Sequence, residues 1–247
     1  MSGSEFILLL LAGVAAGLAG AVTGLASVIS YPALLAAGLS PVIANVTNTV
    51  ALVFSGVGSA LGARPELRGQ GRRMRTLGVA GLLGGALGAV LLLVTPAGAF
   101  ERVVPVLIAV ASLCVLIPRP RAQQHHSGAD ARWVVTGVFA VSVYGGYFGA
   151  AAGVLMLALL LGATAESLPI STAIKNAVLG LANGIAALGF ICFSSVRWLA
   201  VLPLAIGFFA GGWFGPLIVR RVPARPLRTL IAVAGVTIAI RLALQAY

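Results

Sequence analysis

The chemistry available to this chain is concentrated in a few polar residues set inside apolar runs. Fifteen of its sixteen basic residues are arginine, and the one lysine, Lys175, lies within an apolar stretch about two turns after Pro169. An ionisable group at such a place costs about 2.5–3.5 kcal/mol on insertion, so it marks a functional site by default. The competing reading is that Lys175 snorkels to an interface from the first third of its helix. Its surroundings favour function. Thr172, Asn176 and Asn183 recur at helical spacing on the same segment, and Gly180 and Gly184 allow another backbone to approach. A second segment carries Asn45, Asn48 and Ser55 at matching spacing, with Thr47 where Lys175 stands. One cation, amide and hydroxyl donors, and helix starts at Ser40-Pro41 and Ser167-Leu168-Pro169 suit a small oxyanion. No embedded acid is present to suit a cation.

Other chemistries lack their parts. The acids Glu5, Glu66, Glu101, Asp130 and Glu166 lie near loops, and both histidines, His125 and His126, share one polar linker, so neither hydrolysis nor a metal site is supported. Cys114 and Cys192 read as small buried hydrophobes, not a disulfide. Gly56-Val-Gly58-Ser-Ala-Leu-Gly62 imitates a dinucleotide-binding pattern without the strand or the downstream acid. Asn45-Val-Thr47 is a glycosylation sequon only formally, being within an apolar span. Gly13/Gly17, Gly81/Gly85 and Gly207/Gly211/Gly215 read as ladders for close helix contact. The chain is expected to be no enzyme and to need no cofactor.

The elements that must position these residues follow from composition. Of 247 residues, 60% are hydrophobic and 9% charged, with a mean hydropathy of +1.09. A soluble domain needs about 25% charged residues to dress its surface. That excludes a soluble enzyme, a disordered chain and a nucleic-acid module, and leaves an all-α polytopic integral membrane protein. Full spans are predicted at 42–62, 76–94, 102–117, 169–190, 196–217 and 226–245. Two segments, 6–39 and 133–162, are too long for one crossing, at about 45–50 Å as single helices. Each carries glycines near its middle, so each is expected to be a broken or re-entrant helix. The N-terminal run lacks the basic lead of a signal peptide and is expected to be retained.

The two odd segments occupy matching places, which predicts a duplication. Gly20-Ala-Val-Thr-Gly24 echoes Gly145-Gly-Tyr-Phe-Gly149, and Val46-Thr47-Asn48 aligns with Ile174-Lys175-Asn176. The expected halves are 1–117 and 133–247, joined by a cytoplasmic linker, 118–132. Twelve of the fifteen arginines fall in 64–75, 119–132 and 220–228. Eight single spans would put the last cluster opposite the others, whereas about ten crossings, counting each broken segment as in and back, put all three on one side. The positive-inside rule favours the second count, which inverts the two halves and places the arginine loops in the cytoplasm with both termini outside. The net charge of +11 is thus a topology signal, not a nucleic-acid one.

The glycine-rich broken segment, Gly38-Leu-Ser-Pro41 and the Asn45-Val-Thr-Asn48 helix start, with Ser171-Thr-Ala-Ile-Lys175-Asn176 and Asn183 as the second copy, resemble the TauE/SafE sulfite exporter family, also called toluene sulfonate uptake permeases. The resemblance spans roughly 6–245, and Ala26-Ser27-Val28 departs from the more glycine-rich first motif of that family. It implies a plasma-membrane transporter of sulfite, sulfonates or related sulfur-containing anions. The expected mechanism is alternating access around a midplane site at the repeat interface. Lys175 is expected to balance the anion's charge, with Asn176, Asn48, Thr47 and Asn45 as donors and Gly24 and Gly149 bringing backbone close. Thr172, Asn183 and Tyr147 are further candidates. Lys175 is also the only candidate for proton coupling, with a uniporter equally open. Expected partners are the small anion and the bilayer, with homodimer formation left open. Alternatives are a transporter or channel for another anion, a membrane-embedded enzyme, or a structural subunit.

Overall fold

A computed structural model describes residues 2–116, 131–164 and 166–219, and in these the chain forms helices and no strand. The elements are α1 (Gly3–Thr23), α2 (Ala26–Ala36), α3 (Pro41–Gly62), α4 (Arg64–Leu67), α5 (Gly71–Val94), α6 (Ala97–Leu116), α7 (Ala131–Tyr147), α8 (Ala152–Ala163), α9 (Leu168–Phe193) and α10 (Trp198–Val219). Five of them, α1, α3, α5, α9 and α10, are long and apolar enough to cross a bilayer. Their outward faces carry large exposed apolar side chains such as Leu83, Val90, Leu188 and Leu202. That is the pattern expected where lipid replaces water as the outer solvent.

Both long segments are broken where their glycines cluster. α1 ends at Thr23 and Gly24 takes φ +88°, closing the helix by donating its N–H to the Ala19 and Gly20 carbonyls at 3.1 and 2.9 Å. A left-handed residue at this place is the usual helix stop, and glycine adopts it without a Cβ penalty. Gly149 does the same after α7, at φ +75°. Each second arm returns to the side from which the first came. Gly38 and Leu39, after α2, line one cavity with Glu5 and Leu9 at the start of α1. Ala163 and Thr164, after α8, line another with Val134 and Val135 at the start of α7.

Several expected boundaries shift. α5 begins at Gly71, not 76, because an arginine-rich turn is a good helix former and extends the span beyond the hydrocarbon. α7 takes in Ala131 and Arg132 from the expected linker. The rest of that linker, with His125 and His126, and both the 220–228 arginines and the 226–245 span lie outside the described residues. Cys192 is exposed on α9, not buried, since a thiol facing lipid needs no protein cover.

Packing registers give the direction of each helix. A Cβ on Gly13 would meet Leu204 and Gly207, and one on Gly17 would meet Phe208 and Gly211, so α1 and α10 run the same way. Gly58 faces Phe209 and Trp213, and Gly62 faces Trp213 and Pro216, so α3 runs with them. In a second group, Gly84 faces Phe139 and Val143, and Gly88 faces Val143 and Tyr147. There too Gly81 faces Val178 and Gly85 faces Ala182, so α5, α7 and α9 are mutually parallel. The glycine ladders thus serve as close helix contacts. α3 passes through the short α4 directly into α5, so the second group runs opposite to the first. α10, late in the chain, lies between α1 and α3, and α5, early in the chain, lies against α7 and α9. The two bundles therefore do not coincide with the N- and C-terminal halves of the sequence.

Candidate functional site

The two breaks meet at the centre of the molecule. Gly24 and Gly153 are so close that a Cβ on either would strike the backbone of the other. α2 and α8 both begin here, and beside them lies a cavity of about 60 Å³ between the two bundles. It has room for a few waters or one small oxyanion. The wall contains Gly20, Gly24, Ala26 and Ser27 from the first break, and Gly145, Gly149, Ala152 and Gly153 from the second. Ser55 and Ser59 of α3 and Asn176 and Asn183 of α9 complete its polar lining, and among the described residues no carboxylate lines it. α3 and α9 cross with their backbones in contact at Gly56 and Gly180.

Four of the ten expected site residues line this cavity: Asn176, Asn183, Gly24 and Gly149. The other six are placed around it. Lys175 is fully buried and does not snorkel; its Nζ donates to the Gly20 carbonyl at 2.9 Å and to the Ala21 carbonyl at 3.2 Å. Asn176 Nδ2 donates to the same Ala21 carbonyl at 3.2 Å. Both side chains therefore serve the last turn of α1, which carries the negative end of the helix dipole and where, of these two carbonyls, only that of Gly20 also accepts a backbone N–H, from Gly24. Lys175 stands one residue behind the cavity wall, with Gly20 between them.

The other group of parallel helices ends in a related way. Asn45 Nδ2 donates to the carbonyl of Tyr147, the last residue of α7, at 2.8 Å. The Tyr147 ring packs edge-on to Phe100 at 5.8 Å, away from the cavity. Asn48 is turned to α2, donating to Ser27 Oγ at 3.0 Å and accepting from Ser30 Oγ at 2.6 Å. Thr47 Oγ1 accepts the Arg197 N–H at 3.2 Å. Thr172 is buried with its hydroxyl unpartnered among the described residues.

The helix starts also differ from expectation. Ser40 and Ser167 stand at N-cap positions but make no side-chain cap bond. The N-termini that reach the cavity belong to α2 and α8, the returning arms. Sequence reasoning did not single out Ser27 or Ser59 for the site. The signal for Ser27 was its place three residues after Gly24, in the first turn beyond the break.

At the mouth by the start of α5, Arg73 Nη1 pairs with Glu166 Oε1 at 2.5 Å, both side chains partly exposed. Arg64, Arg68, Arg72, Arg73 and Arg75 share this side with Arg132 at the start of α7. Arg197 lies at the opposite end, beside Glu5. Among the described residues no group of three or more metal-ligating side chains occurs.

The family model described as sulfite exporter TauE/SafE matches residues 9–242. The chain is similar to a protein described as "Probable membrane transporter protein ORF9" from Sinorhizobium sp, 24% identical over 230 residues, covering 92% of this chain and 88% of that one. No solved structure matches it.

Proposed function

The chain belongs to the sulfite exporter TauE/SafE family, and on that premise we propose that it is a secondary transporter of small sulfur-containing oxyanions, sulfite or organic sulfonates, working by alternating access. It is a multi-pass membrane protein of a transporter family, and its proposed location is the plasma membrane, with the arginine-rich ends of α5 and α7 in the cytoplasm. The observation that carries the reading is the central cavity. Two re-entrant arms of opposite direction bring helix N-termini to one point, with amide and hydroxyl donors around it and no acid among the described lining residues. N-termini and unpaired donors at membrane depth favour an anion.

In this reading Asn176, Asn183 and Ser55 donate to the anion's oxygens, and Gly24 and Gly149 let backbone approach it. Lys175 acts from behind the wall. Its ammonium offsets the negative end of α1, which otherwise points carbonyls toward the anion. Asn45 holds the end of α7 through the Tyr147 carbonyl, Asn48 holds the start of α2, and Thr47 holds the turn before α10, while Thr172 keeps an unspent hydroxyl among the described residues. The matched breaks support two inverted repeats that exchange helices, α10 packing with α1 and α3 and α5 with α7 and α9, and in this reading the two resulting bundles move against one another. Membership of a transporter family favours transport over an enzymatic role.

The test is a binding panel with the purified chain in detergent: sulfite, sulfate, thiosulfate, taurine, sulfoacetate and neutral analogues, read as thermal stabilisation. Stabilisation by sulfite or sulfonates but not by the neutral analogues is expected, followed by flux of the binder in proteoliposomes. Stabilisation by carboxylates or phosphate alone would shift the reading to a transporter of another anion. No response to any anion would refute it.

A further inference from the structure

Ser27 stands in the first turn of α2, 4% exposed, on the cavity wall. Its neighbours fix the polarity of its hydroxyl. Ser30 Oγ reaches two acceptors, Asn48 Oδ1 at 2.6 Å and the Ala26 carbonyl at 3.1 Å, and its one proton goes to the shorter contact; Asn48 Oδ1 therefore faces Ser30, and Nδ2, at the other end of the amide, donates to Ser27 Oγ. Ser27 is thereby an acceptor toward the protein, and its own proton must go elsewhere. Other helical hydroxyls here return theirs to the carbonyl four residues earlier, as Thr23 does to Ala19, Thr49 to Asn45 and Thr95 to Leu91. Ser27 has no such outlet. The residue four before it is Thr23, the end of α1, on the far side of the break, and no described residue accepts a bond from Ser27. A hydroxyl has one proton and two lone pairs, so with Asn48 on one lone pair the proton is left for whatever occupies the cavity.

We infer that Ser27 is a specificity-determining donor, held by Asn48 with its proton toward the cavity so that the favoured ligand presents an oxygen acceptor there. This rests on the cavity being the anion site and names a residue that selects within it. A ligand with an oxyanion oxygen at this point satisfies a buried donor, whereas one presenting N–H or C–H leaves it unpaired. Ser27, within the Ala26-Ser27-Val28 stretch that departs from a more glycine-rich motif, is then a side chain that serves recognition, since glycine at 27 would offer the cavity no hydroxyl.

The experiment measures the dissociation constants of sulfite and methanesulfonate for the full chain in detergent, with Ser27→Ala, Ser27→Cys and Ser27→Thr, and the melting temperature of each without ligand. Ser27→Ala is expected to weaken binding about tenfold or more, the weight of one hydrogen bond to a charged acceptor. Ser27→Cys, with similar volume and a weak donor, should fall between, and Ser27→Thr, which keeps the proton, should bind best of the three. A purely structural role would move the melting temperature without producing this order. If Ser27→Ala does not fold, Ser27→Cys decides, and binding equal to the unsubstituted chain overturns the inference. Were Asn183→Ala to weaken binding while every Ser27 variant bound normally, this inference alone would fail. No binding by the unsubstituted chain would end both it and the anion-site reading.

Discussion

Replacing Lys175 by methionine separates its electrostatic role from its structural one. The substitution keeps most of the side-chain length and removes the charge. Its effect on folding is set by two opposed terms. Charge-assisted bonds from Nζ to the Gly20 and Ala21 carbonyls contribute about 1.5–3 kcal/mol each before desolvation. Placing the ammonium at membrane depth costs about 2.5–3.5 kcal/mol. Neither carbonyl is orphaned by the change, because Gly20 keeps the Gly24 N–H and Ala21 keeps Asn176 Nδ2. The ligand-free protein should therefore lose only about 1–2 kcal/mol of stability, the small difference between these terms. Binding should respond more strongly. With one residue between the ammonium and the cavity, an anion would sit about 7 Å from Nζ, and at an effective dielectric of about 20 the attraction is about 2.4 kcal/mol. That corresponds to roughly fiftyfold in affinity. Calorimetric titration of Lys175→Met with sulfite or methanesulfonate, beside its melting curve, checks both numbers. A change under about threefold would refute an electrostatic role. A loss beyond about a thousandfold would instead require direct contact between Nζ and the anion, and refute its placement behind the wall.

Gly24→Ala adds a Cβ both to a left-handed residue and to the contact with Gly153, and should lower stability by about 3 kcal/mol or more, seen as loss of monodisperse protein on size-exclusion chromatography. Ala151 is the one non-glycine residue with positive φ among those described, at +59°, so Ala151→Gly should relieve about 1 kcal/mol and raise the melting temperature. The Arg73–Glu166 pair is partly exposed, and Glu166→Gln should change stability by less than about 1 kcal/mol, with the difference fading in high salt. Single cysteines at Arg68 and Arg132, in a Cys114→Ser, Cys192→Ser background, should both label from the cytoplasmic side, and labelling from opposite sides would break the proposed orientation.

Much of the frame was legible because the bilayer enforces it. A segment too long for one crossing, with glycines at its middle, has few physical outcomes, and α1–α2 and α7–α8 show the break where Gly24 and Gly149 sit. The described helices run in two opposed groups, but each group draws on both halves of the sequence, so this does not test the inverted halves expected from the arginine clusters. The site was legible only in part. Lys175 and Asn45 are expected as ligands because they are polar residues on apolar helices. That pattern has a second cause: a helix stopped inside lipid leaves carbonyls that something must satisfy. Which carbonyl a side chain reaches, 102 residues away for Asn45 and 155 for the Lys175 bond to Gly20, is a tertiary fact with no local trace. Ser27 was passed over for a related reason. A serine at a helix start looks like an ordinary cap, and only the position of Asn48 shows where its proton goes.

The placement of α10 between α1 and α3, and of α5 against α7 and α9, bears on how the protein is made. A ribosome releases α1 and α3 long before Trp198 exists, so their glycine faces wait in the membrane without the helix that fills them. α5 waits likewise for the chain beyond residue 131. Neither half can reach its packed form by finishing its own synthesis. Quality-control proteases would meet either half alone as an unassembled orphan. Two genes encoding 1–117 and 118–247 should then yield either both fragments, each sheltering the other, or neither.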